Sequence, residues 1–413
     1  MKHCLLLLLI SIFKLNAESG LVVKVGPEFE FKSINEAVEN APMGSTIIVS
    51  EGRYAEKTII ITKPLKLIGD NHPTLDGNGS NEIMVIASPD VQVSGFRFIN
   101  TGHSSMEDRS AIKCLDAHQV VISENVFENT FFAIHLSNTN NAVIDCNTLK
   151  SKAEFEFQYG NGIHLWKCYN AWITGNSIIG HRDGIYLEFA TSSHIQDNVS
   201  QGNIRYGLHF MFSHRNSYRF NKFSNNGAGV AVMYTTDVIM EYNEFSDNWG
   251  PSSYGMLLKD IRDSSVKFNK FLNNTSGIYM EGTSRTIFEE NLFRNNGYGV
   301  KLLASCDDND FRYNNFQLNT IDMSTNGMTV LNRLNQNYWD KYTGYDLDKD
   351  GIGDVVYRPV SIFSMIVEQI PPAVILWRSL LVQLLDKAEK TLPVVTPENL
   401  KDTQPLMKAY DIN

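Results

Sequence analysis

Positive charge is scarce in this chain. The 413 residues include 36 Lys and Arg against 46 Asp and Glu, which gives a formal net charge of -10. Proteins that bind nucleic acids usually carry the opposite balance, because they neutralise phosphates with Lys and Arg. The composition therefore argues against a nucleic-acid partner.

Cysteine is also scarce, and its spacing gives no disulfide framework. Cys4 lies in the N-terminal apolar run, and the remaining cysteines are Cys114, Cys146, Cys168 and Cys306. No two of these four share a phase on adjacent copies of the repeat described below, so we predict no structural disulfide. Cys114 takes an inward repeat position, and we expect it to be buried.

The chain lacks an apolar run long enough for a membrane span. Leu5 to Phe13 is too short to cross a bilayer, but it follows Lys2 and ends near the small residue Ala17. Residues 1–17 are therefore predicted to be a signal peptide that is cleaved near Ala17. We expect the protein to be exported, to a bacterial periplasm.

What the sequence does contain is a repeat. A Gly, an apolar residue, any residue and a second apolar residue recur, and the copies begin at Gly162, Gly184, Gly207, Gly229, Gly255, Gly277 and Gly299, with Ala111 and Ala133 starting earlier copies. The usual step is 22 residues. A second phrase, an apolar residue followed by Asn and usually Phe, keeps the same period. A fixed period in this range indicates a solenoid.

The short alternating runs in each repeat predict strands, so the fold class is all-β, a right-handed parallel β-helix. An α-solenoid is disfavoured because Gly and Asn recur in every copy. The corner Asn residues are expected to adopt left-handed backbone and to stack as a ladder of side-chain amides.

The ends differ from the repeat. Ser33 to Ala41 predicts a cap helix with Ser33 as its N-cap and Glu36 completing a capping box. Near the C-terminus, Pro371 and Pro372 divide an apolar run from an amphipathic helix. That segment is predicted to be a cap on the last coil, with partner docking as the alternative.

The predicted divisions of the chain are 1–17 signal peptide, 18–95 N-terminal cap and first coils, 96–336 parallel β-helix, 337–360 Asp/Gly-rich loop, 361–390 C-terminal helical segment and 391–413 extended tail.

The Asp/Gly-rich loop has a calcium-loop spacing. Asp346, Asp348 and Asp350 alternate before Gly351, and Asp354 follows. Tyr357 stands at the twelfth position, where an EF-hand has Glu. The sequence therefore leaves open a calcium site at these four Asp residues or a tight turn without metal.

The third and fifth residues of each Gly phrase should face outward together. The first column then holds His135, His164, Tyr186 and His209, and the column beside it holds Trp166, Glu188, Met211 and Met233. Three corners are enlarged, all at the same position of the coil, so they should stand beside this strip. Two of these corners carry His103 and Met106, and Trp249 and Tyr254.

Imidazole and thioether groups suit copper, Cu(I) in particular. We therefore predict a candidate copper site drawn from His103, Met106, His135, His164, His209, Met211 and Met233. Trp166, Tyr186, Glu188, Trp249 and Tyr254 are candidates for a partner-binding surface. The non-functional alternative is a strip of ordinary exposed residues, or one that is covered by the loops.

The enzyme alternative is weak, because no two carboxylates occupy neighbouring positions of the strip. Glu188, with His181, Arg182 and Asp183 at the preceding corner, keeps a uronate epimerase or lyase open.

Resemblances to two known families add to this interpretation. Ser33-Ile-Asn-Glu-Ala, Gly52-Arg-Tyr and Leu75-Asp-Gly-Asn-Gly resemble the opening of the pectin-lyase-like β-helix superfamily, which implies fold only. The central His- and Met-bearing run, Gly162-Ile-His-Leu-Trp to Met233-Tyr234, and Asn337-Tyr-Trp-Asp with the Asp/Gly loop resemble the NosD family.

The NosD resemblance implies a periplasmic accessory protein that is not an enzyme. Its implied partners are an ABC transporter (permease and ATPase), a copper chaperone lipoprotein and nitrous oxide reductase, whose copper-sulfide centre it helps to assemble. The protein would then meet a membrane only through the transporter. Copper is implied as transient cargo.

Overall fold

The structure is a computed structural model that describes residues 21–80, 82–104, 106–151, 159–327, 331–377, 379–391, 397 and 399–411. The predicted signal peptide, residues 1–17, lies outside these residues. Three parallel sheets form the walls of a right-handed parallel β-helix, so the predicted fold is confirmed. Each coil contributes one strand to each sheet.

Sheet I, the 14-stranded sheet, consists in order of Val22–Val25, Thr46–Val49, Lys66–Gly69, Gln92–Ser94, Val121–Ser123, Val143–Asp145, Trp172–Thr174, His194–Gln196, Ser217–Arg219, Ile239–Glu241, Ser265–Lys267, Ile287–Glu289, Asp310–Arg312 and Arg333–Asn335. Sheet II, the 12-stranded sheet, consists of Ile59–Ile61, Met84–Ile86, Ser110–Leu115, Phe132–Ser137, Ile163–Trp166, Asp183–Glu188, Tyr206–Met211, Ala228–Met233, Tyr254–Lys259, Ser276–Glu281, Tyr298–Leu302 and Ile321–Ser324. Sheet III, the 13-stranded sheet, consists of Arg53–Tyr54, Thr74–Asp76, Arg97–Ile99, Val126–Glu128, Thr148–Lys150, Ser177–Ile179, Val199–Gln201, Lys222–Ser224, Glu244–Ser246, Lys270–Leu272, Leu292–Arg294, Asn315–Gln317 and Tyr338–Trp339.

The repeated Gly marks a place where adjacent coils touch through their backbones. A Cβ atom on Gly207 would lie 2.7 Å from the carbonyl oxygen of Gly229, and one on Gly184 would lie 2.7 Å from that of Gly207. A side chain does not fit at that distance, so Gly is required at these two positions. The equivalent positions of the earlier strands hold Ala111 and Ala133.

Stacked aromatic rings fill much of the core. Phe245, Phe271 and Phe293 lie on successive coils, with ring centroids 4.8 Å and 4.9 Å apart. The column continues through Phe316 to Trp339, and all of these side chains are fully or almost fully buried. Because each coil packs on its neighbours, a long chain forms one continuous core.

The predicted asparagine ladder is present, with one correction. The backbone N–H and the side-chain amide of Asn221 both donate to Oδ1 of Asn243, at 3.0 Å each. The ladder residues are Asn125, Asn147, Asn176, Asn198, Asn221, Asn243, Asn269, Asn291, Asn314 and Asn337. The expectation that these Asn residues are left-handed is wrong, because positive φ occurs at the preceding residues, such as Phe220 (56°) and Tyr242 (57°). The bend before the Asn turns its side chain inward, where the amide meets the next coil.

The N-terminal cap helix α1 spans Ile34–Asn40. The Ser33 hydroxyl accepts the backbone N–H of Glu36, as expected for the N-cap. The carboxylate that reaches the helix start is that of Glu56, which accepts the N–H groups of Ile34 and Asn35 at 2.7 Å and 2.9 Å. A side chain from the next coil, rather than the predicted Glu36, therefore completes the cap.

The C-terminal segment forms α2 (Ile362–Gln369), a 3₁₀ turn (Pro371–Leu376) and α3 (Leu380–Thr391). The predicted amphipathic helix therefore begins later than Ala373, because the Pro pair imposes the 3₁₀ turn. Phe363 and Val367 of α2 pack with Val382 on Ile321, in the last strand of sheet II. Within the described residues no helix is long and apolar enough to cross a membrane.

The repeat extends past the expected boundary at residue 336, because Tyr338–Trp339 pairs with the strand Asn315–Gln317. The tail then returns to this end of the solenoid. Leu334 bridges to Asp402, and Tyr338 bridges to Leu406. The tail is therefore docked on the last coil in the part that the structure describes.

The cysteines of the described residues form no disulfide: Cys114, Cys146, Cys168 and Cys306. Burial raises the pKa of Cys114, and it raises the pKa of Cys168 to about 11. Buried, protonated thiols of this kind are packing residues rather than reactive groups.

Candidate functional site

Sheet II places a column of aromatic side chains on its outer surface. Ile163 and Leu165 are fully buried inside the coil, so His164 between them points outward. The pairing register aligns it on successive coils with its neighbours, in the order His135, His164, Tyr186 and His209. Their rings stack with centroids 4.7, 4.8 and 4.6 Å apart. These residues therefore lie in the column that the repeat predicts.

This column is covered rather than exposed. His135, His164 and His209 are only 8%, 7% and 5% exposed. The Phe132 ring lies 5.9 Å from that of His135 and 5.8 Å from that of His164, and the Tyr206 ring lies 4.8 Å from that of His209. Phe132 and Tyr206 are the first residues of their strands. The covering groups therefore come from the strand starts as well as from the enlarged corners.

Burial keeps the imidazoles of His135 and His164 neutral at neutral pH. Burial, with the nearby His135, Arg182 and His209 adding to it, lowers the pKa of His164 to about 3. Burial likewise lowers the pKa of His135 to about 4, although Asp108 opposes this shift. Among the described residues, both ring nitrogens of His164, Nδ1 of His135 and Nε2 of His209 have no hydrogen-bond partner. A neutral imidazole with a free lone pair is the form that binds a metal ion.

The Asp108 carboxylate lies close to the first two histidines of the column, His135 and His164. One ligand atom from each of Asp108, His135 and His164 lies within 4.8 Å of the others. Asp108 is exposed and belongs to the enlarged corner before the strand Ser110–Leu115. Asp108 is not among the site residues that the repeat pattern predicts. The signal that could have found it is an acidic residue in an insertion beside the histidine column.

A second carboxylate orients His209. Oδ2 of Asp183 lies 3.4 Å from Nδ1 of His209, and Nε of Arg205 lies 3.8 Å from Oδ1 of Asp183. The Asp183 side chain is 1% exposed. A carboxylate on one ring nitrogen fixes the ring and directs the other nitrogen outward, an arrangement common behind metal-ligating histidines.

Further polar groups are buried at the corner before Tyr186. His181 is fully buried, and burial lowers its pKa to about 4, with the Gly160 backbone opposing this shift. Within the part of the chain that the structure describes, its ring nitrogens make no well-formed hydrogen bond. The same holds for both amide atoms of the buried Asn161, at the corresponding corner of the preceding coil. Buried polar groups are normally paired, so these unpaired ones make the corner a candidate place for a ligand or ordered water.

The second column lies partly in solvent. Trp166, Glu188, Met211 and Met233 are half-buried, and Met211 and Met233 are register partners on adjacent coils. The Tyr186 hydroxyl donates to the Met211 sulfur at 3.6 Å, which ties the second column to the first. Burial, with Glu188 and Asp183 adding to it, raises the pKa of Tyr186 to about 12, so this phenol keeps its proton.

The structure does not bring all predicted site residues into this cluster. His103 is exposed, with its ring 5.3 Å from the Phe131 ring, and Met106 is 93% exposed. Trp249 is 67% exposed, and Tyr254 packs on Tyr279 at 5.0 Å. Trp249 and Tyr254 belong to a coil beyond that of Met233, further along the same face.

The Asp/Gly loop is closed by its own carboxylates. Asp346 accepts the backbone N–H of Lys349 at 2.6 Å and that of Gly351 at 2.9 Å, and Asp354 accepts that of Leu347 at 2.7 Å. One oxygen from each of Asp346, Asp348 and Asp350 lies within 4.8 Å of the others. The neighbouring Asp350 carboxylate raises the pKa of Asp348, as expected for crowded like charges.

The fold and this site define a parallel β-helix protein with a buried histidine cluster and an adjoining methionine pair. A family model described as "Periplasmic copper-binding protein (NosD)" matches residues 147–345. The chain is therefore similar to the NosD family, over the matched segment and along most of its length. It is 29% identical over 383 residues to a probable ABC transporter binding protein NosD from Pseudomonas aeruginosa, with 87% of each chain covered. A protein of the same description from Stutzerimonas stutzeri is 28% identical over 370 residues, with 84% of each chain covered.

Solved structures show the same fold in proteins of other kinds. The Dettilon tailspike protein superposes with a TM-score of 0.53 at 11% identity, covering 68% of this chain and 61% of the tailspike. The catalytic domain of a GH87 α-1,3-glucanase superposes with a TM-score of 0.53 at 13% identity, covering 79% of this chain and 70% of that domain. At these identities the likeness concerns the fold alone.

Proposed function

We propose that this protein is a periplasmic, non-enzymatic assembly factor that works with an ABC transporter in maturation of the copper-sulfide centre of nitrous oxide reductase. It would reach the periplasm through the signal peptide in residues 1–17, cleaved near Ala17. The observation that carries the proposal is the buried column of His135, His164 and His209 with unpartnered ring nitrogens. The family description as copper-binding and the relatives' names as ABC transporter binding proteins support it.

The donor set fits copper as transient cargo. The histidines of the column are buried, and burial keeps His135 and His164 neutral, so no proton has to leave these two rings when an ion enters. Met211 and Met233 add thioether sulfur, which favours Cu(I). The exposed His103 and Met106 stand on an enlarged corner, where they would meet an incoming ion first.

A partner surface lies along the same face. Trp166 is partly exposed, Glu188 stands beside it on the next coil, and Trp249 is 67% exposed. Exposed aromatic residues are favoured anchors in protein interfaces. We assign this surface, together with Tyr186 and Tyr254, to a copper chaperone lipoprotein or to the permease of the transporter.

The experiment is an anaerobic Cu(I) titration of the full chain against a competing chelator. We expect tight binding that weakens in His209→Ala and in Met211→Ala. The matched control is His194→Ala, because His194 lies in sheet I, where it stacks on Trp172 and pairs with Ser217. Absence of Cu(I) binding by the parent chain would remove the metal part of the proposal. Co-purification with the transporter tests the assembly part separately.

Calcium at the Asp/Gly loop is a second, structural proposal. Asp346, Asp348 and Asp350 could hold Ca²⁺ with Asp354 closing the loop. Millimolar Ca²⁺ should then raise the melting temperature, and Asp348→Asn should reduce this rise. An equal melting temperature with Ca²⁺ and with a chelator would leave the loop as a turn without metal.

A polysaccharide-modifying enzyme remains the alternative function. Tyr186, His209 and Asp183 are adjacent acid–base groups, which is what a uronate epimerase or lyase would require. The covered column and the raised pKa of Tyr186 favour the copper role over this one. Turnover of oligouronates by the purified protein, lost in His209→Ala, would reverse that order.

A further inference from the structure

Tyr186 divides the histidine column into two parts. His135 and His164 lie on one side of its ring, and His209 lies on the other. Adjacent coils are spaced by about 4.8 Å, so His164 and His209 stand roughly 10 Å apart along the column. One metal ion, with ligand distances near 2 Å, does not span that separation.

The two parts offer different donor atoms. On one side the groups are the Asp108 carboxylate and the nitrogens of His135 and His164, with ligand atoms within 4.8 Å of one another. On the other side, His209 shares the outward face of its strand with Met211, and Met233 follows on the next coil. Nitrogen and oxygen donors suit Cu(II), whereas thioether sulfur selects Cu(I).

Each part also has a buried donor atom that lacks a partner. Both nitrogens of His164 are unpaired on the first side, and Nε2 of His209 is unpaired on the second. Asp108 supplies negative charge only at the first side, and Asp183 holds Nδ1 of His209 at the second. The polar environments of the two parts are therefore built by different residues.

We propose that this face holds two separate metal subsites. The nitrogen–oxygen subsite of Asp108, His135 and His164 takes a divalent ion, Cu(II). The nitrogen–sulfur subsite of His209, Met211 and Met233 takes Cu(I). This inference rests on the proposed function, because it divides the copper site that the function requires.

The test measures both ions on the same set of full-length variants. Cu(II) is added in air and followed by electron paramagnetic resonance, in which bound nitrogens split the copper signal. Cu(I) is added anaerobically against a chelator. Asp108→Asn and His164→Gln should each weaken Cu(II) on the order of 10- to 100-fold and leave Cu(I) affinity unchanged. Met211→Leu with Met233→Leu, a shape-conserving pair, should do the reverse.

Two further variants provide a predicted gain in Cu(II) affinity and a control for histidine substitution. Arg182 lies near enough to His164 to lower its pKa, so it opposes a cation there. Arg182→Gln is therefore expected to strengthen Cu(II) binding, a gain that misfolding would not produce. His194→Gln, in sheet I, is the control for a histidine substitution away from the column.

The outcomes separate the two proposals. If neither ion binds the parent chain, the proposed copper function fails. If both ions bind but each variant set weakens both equally, the function stands and the division into two subsites is overturned. If the Cu(II) affinity is unchanged in His164→Gln and in Asp108→Asn, the nitrogen–oxygen subsite is wrongly assigned.

Discussion

The Asp402 carboxylate ends the asparagine ladder at Asn337. Its Oδ2 accepts the backbone N–H of Asn337 at 2.9 Å, the side-chain amide of Asn337 at 3.1 Å and the indole N–H of Trp339 at 3.1 Å. Asp402 is fully buried and takes the position that a further ladder residue would hold. A residue distant in sequence therefore completes the hydrogen bonding of the last coil.

Removing this carboxylate should destabilise the C-terminal end. Asp402→Ala removes the acceptor of the Asn337 backbone N–H and of the Trp339 indole N–H, at a cost of about 1–3 kcal/mol for a buried group left unpaired. The Asn337 side-chain amide keeps the Phe311 carbonyl as an acceptor. Asp402→Asn retains one oxygen acceptor, as the other ladder residues do, and should cost less. Denaturant unfolding measures both. Equal stability of Asp402→Ala and the parent chain would contradict a structural role.

Adding one methyl group at Gly207 should destabilise the solenoid. A Cβ atom there would lie 2.7 Å from the carbonyl oxygen of Gly229, and strain of this kind costs about 1–3 kcal/mol. Gly250→Ala is the matched control, because the nearest atom to its Cβ would be 3.6 Å away. Thermal unfolding of the two variants should therefore differ, and similar melting temperatures would show that the coils separate easily.

The C-terminal helices should protect the end of sheet II. Phe363 is 2% exposed in the cluster that covers Ile321, and Phe-to-Ala changes in such clusters cost about 3–5 kcal/mol. Phe363→Ala should release α2 and speed hydrogen exchange in Ile321–Ser324. Ile375→Ala should have no such effect, because Ile375 is 86% exposed. Unchanged exchange in Phe363→Ala would mean that the helices do not act as a cap.

Acid should destabilise the protein through the histidine column. The pKa of His164 is about 3 in the folded chain, whereas an unfolded His titrates near 6.5. As the pH falls through about 6.5, the unfolded chain gains a proton that folded His164 does not, so the free energy of unfolding decreases. From about pH 7.5 to about pH 5, one such group costs about 2 kcal/mol.

His135, whose pKa in the folded chain is about 4, adds to this loss of stability. The other charged or titratable groups that act on His164 are Arg182 and His209. His164→Gln should therefore lose less stability than the parent chain between the two pH values. Denaturant unfolding at each pH measures the difference. The same loss in both chains would show that His164 is not the group responsible.

Most of the fold and part of the candidate site could be predicted from the sequence repeat. The Gly phrase sets the sheet II strands and the alternation that turns His164 outward, so the column could be predicted from spacing alone. Its burial could not be predicted, because Phe132, Tyr206 and Asp108 lie at strand starts and corners whose conformation the period does not set. The role of Asp402 could not be predicted either, because this residue joins the asparagine ladder from outside the repeat.

The docked tail also has a consequence for the order of synthesis. Until Asp402 has been made, Asn337 and Trp339 keep unpaired donors and the last coil presents an open parallel edge. Such an edge accepts strands from other chains. A polypeptide cut short before Asp402 would carry the preceding coils and yet expose this edge, so it would tend to associate with its own kind.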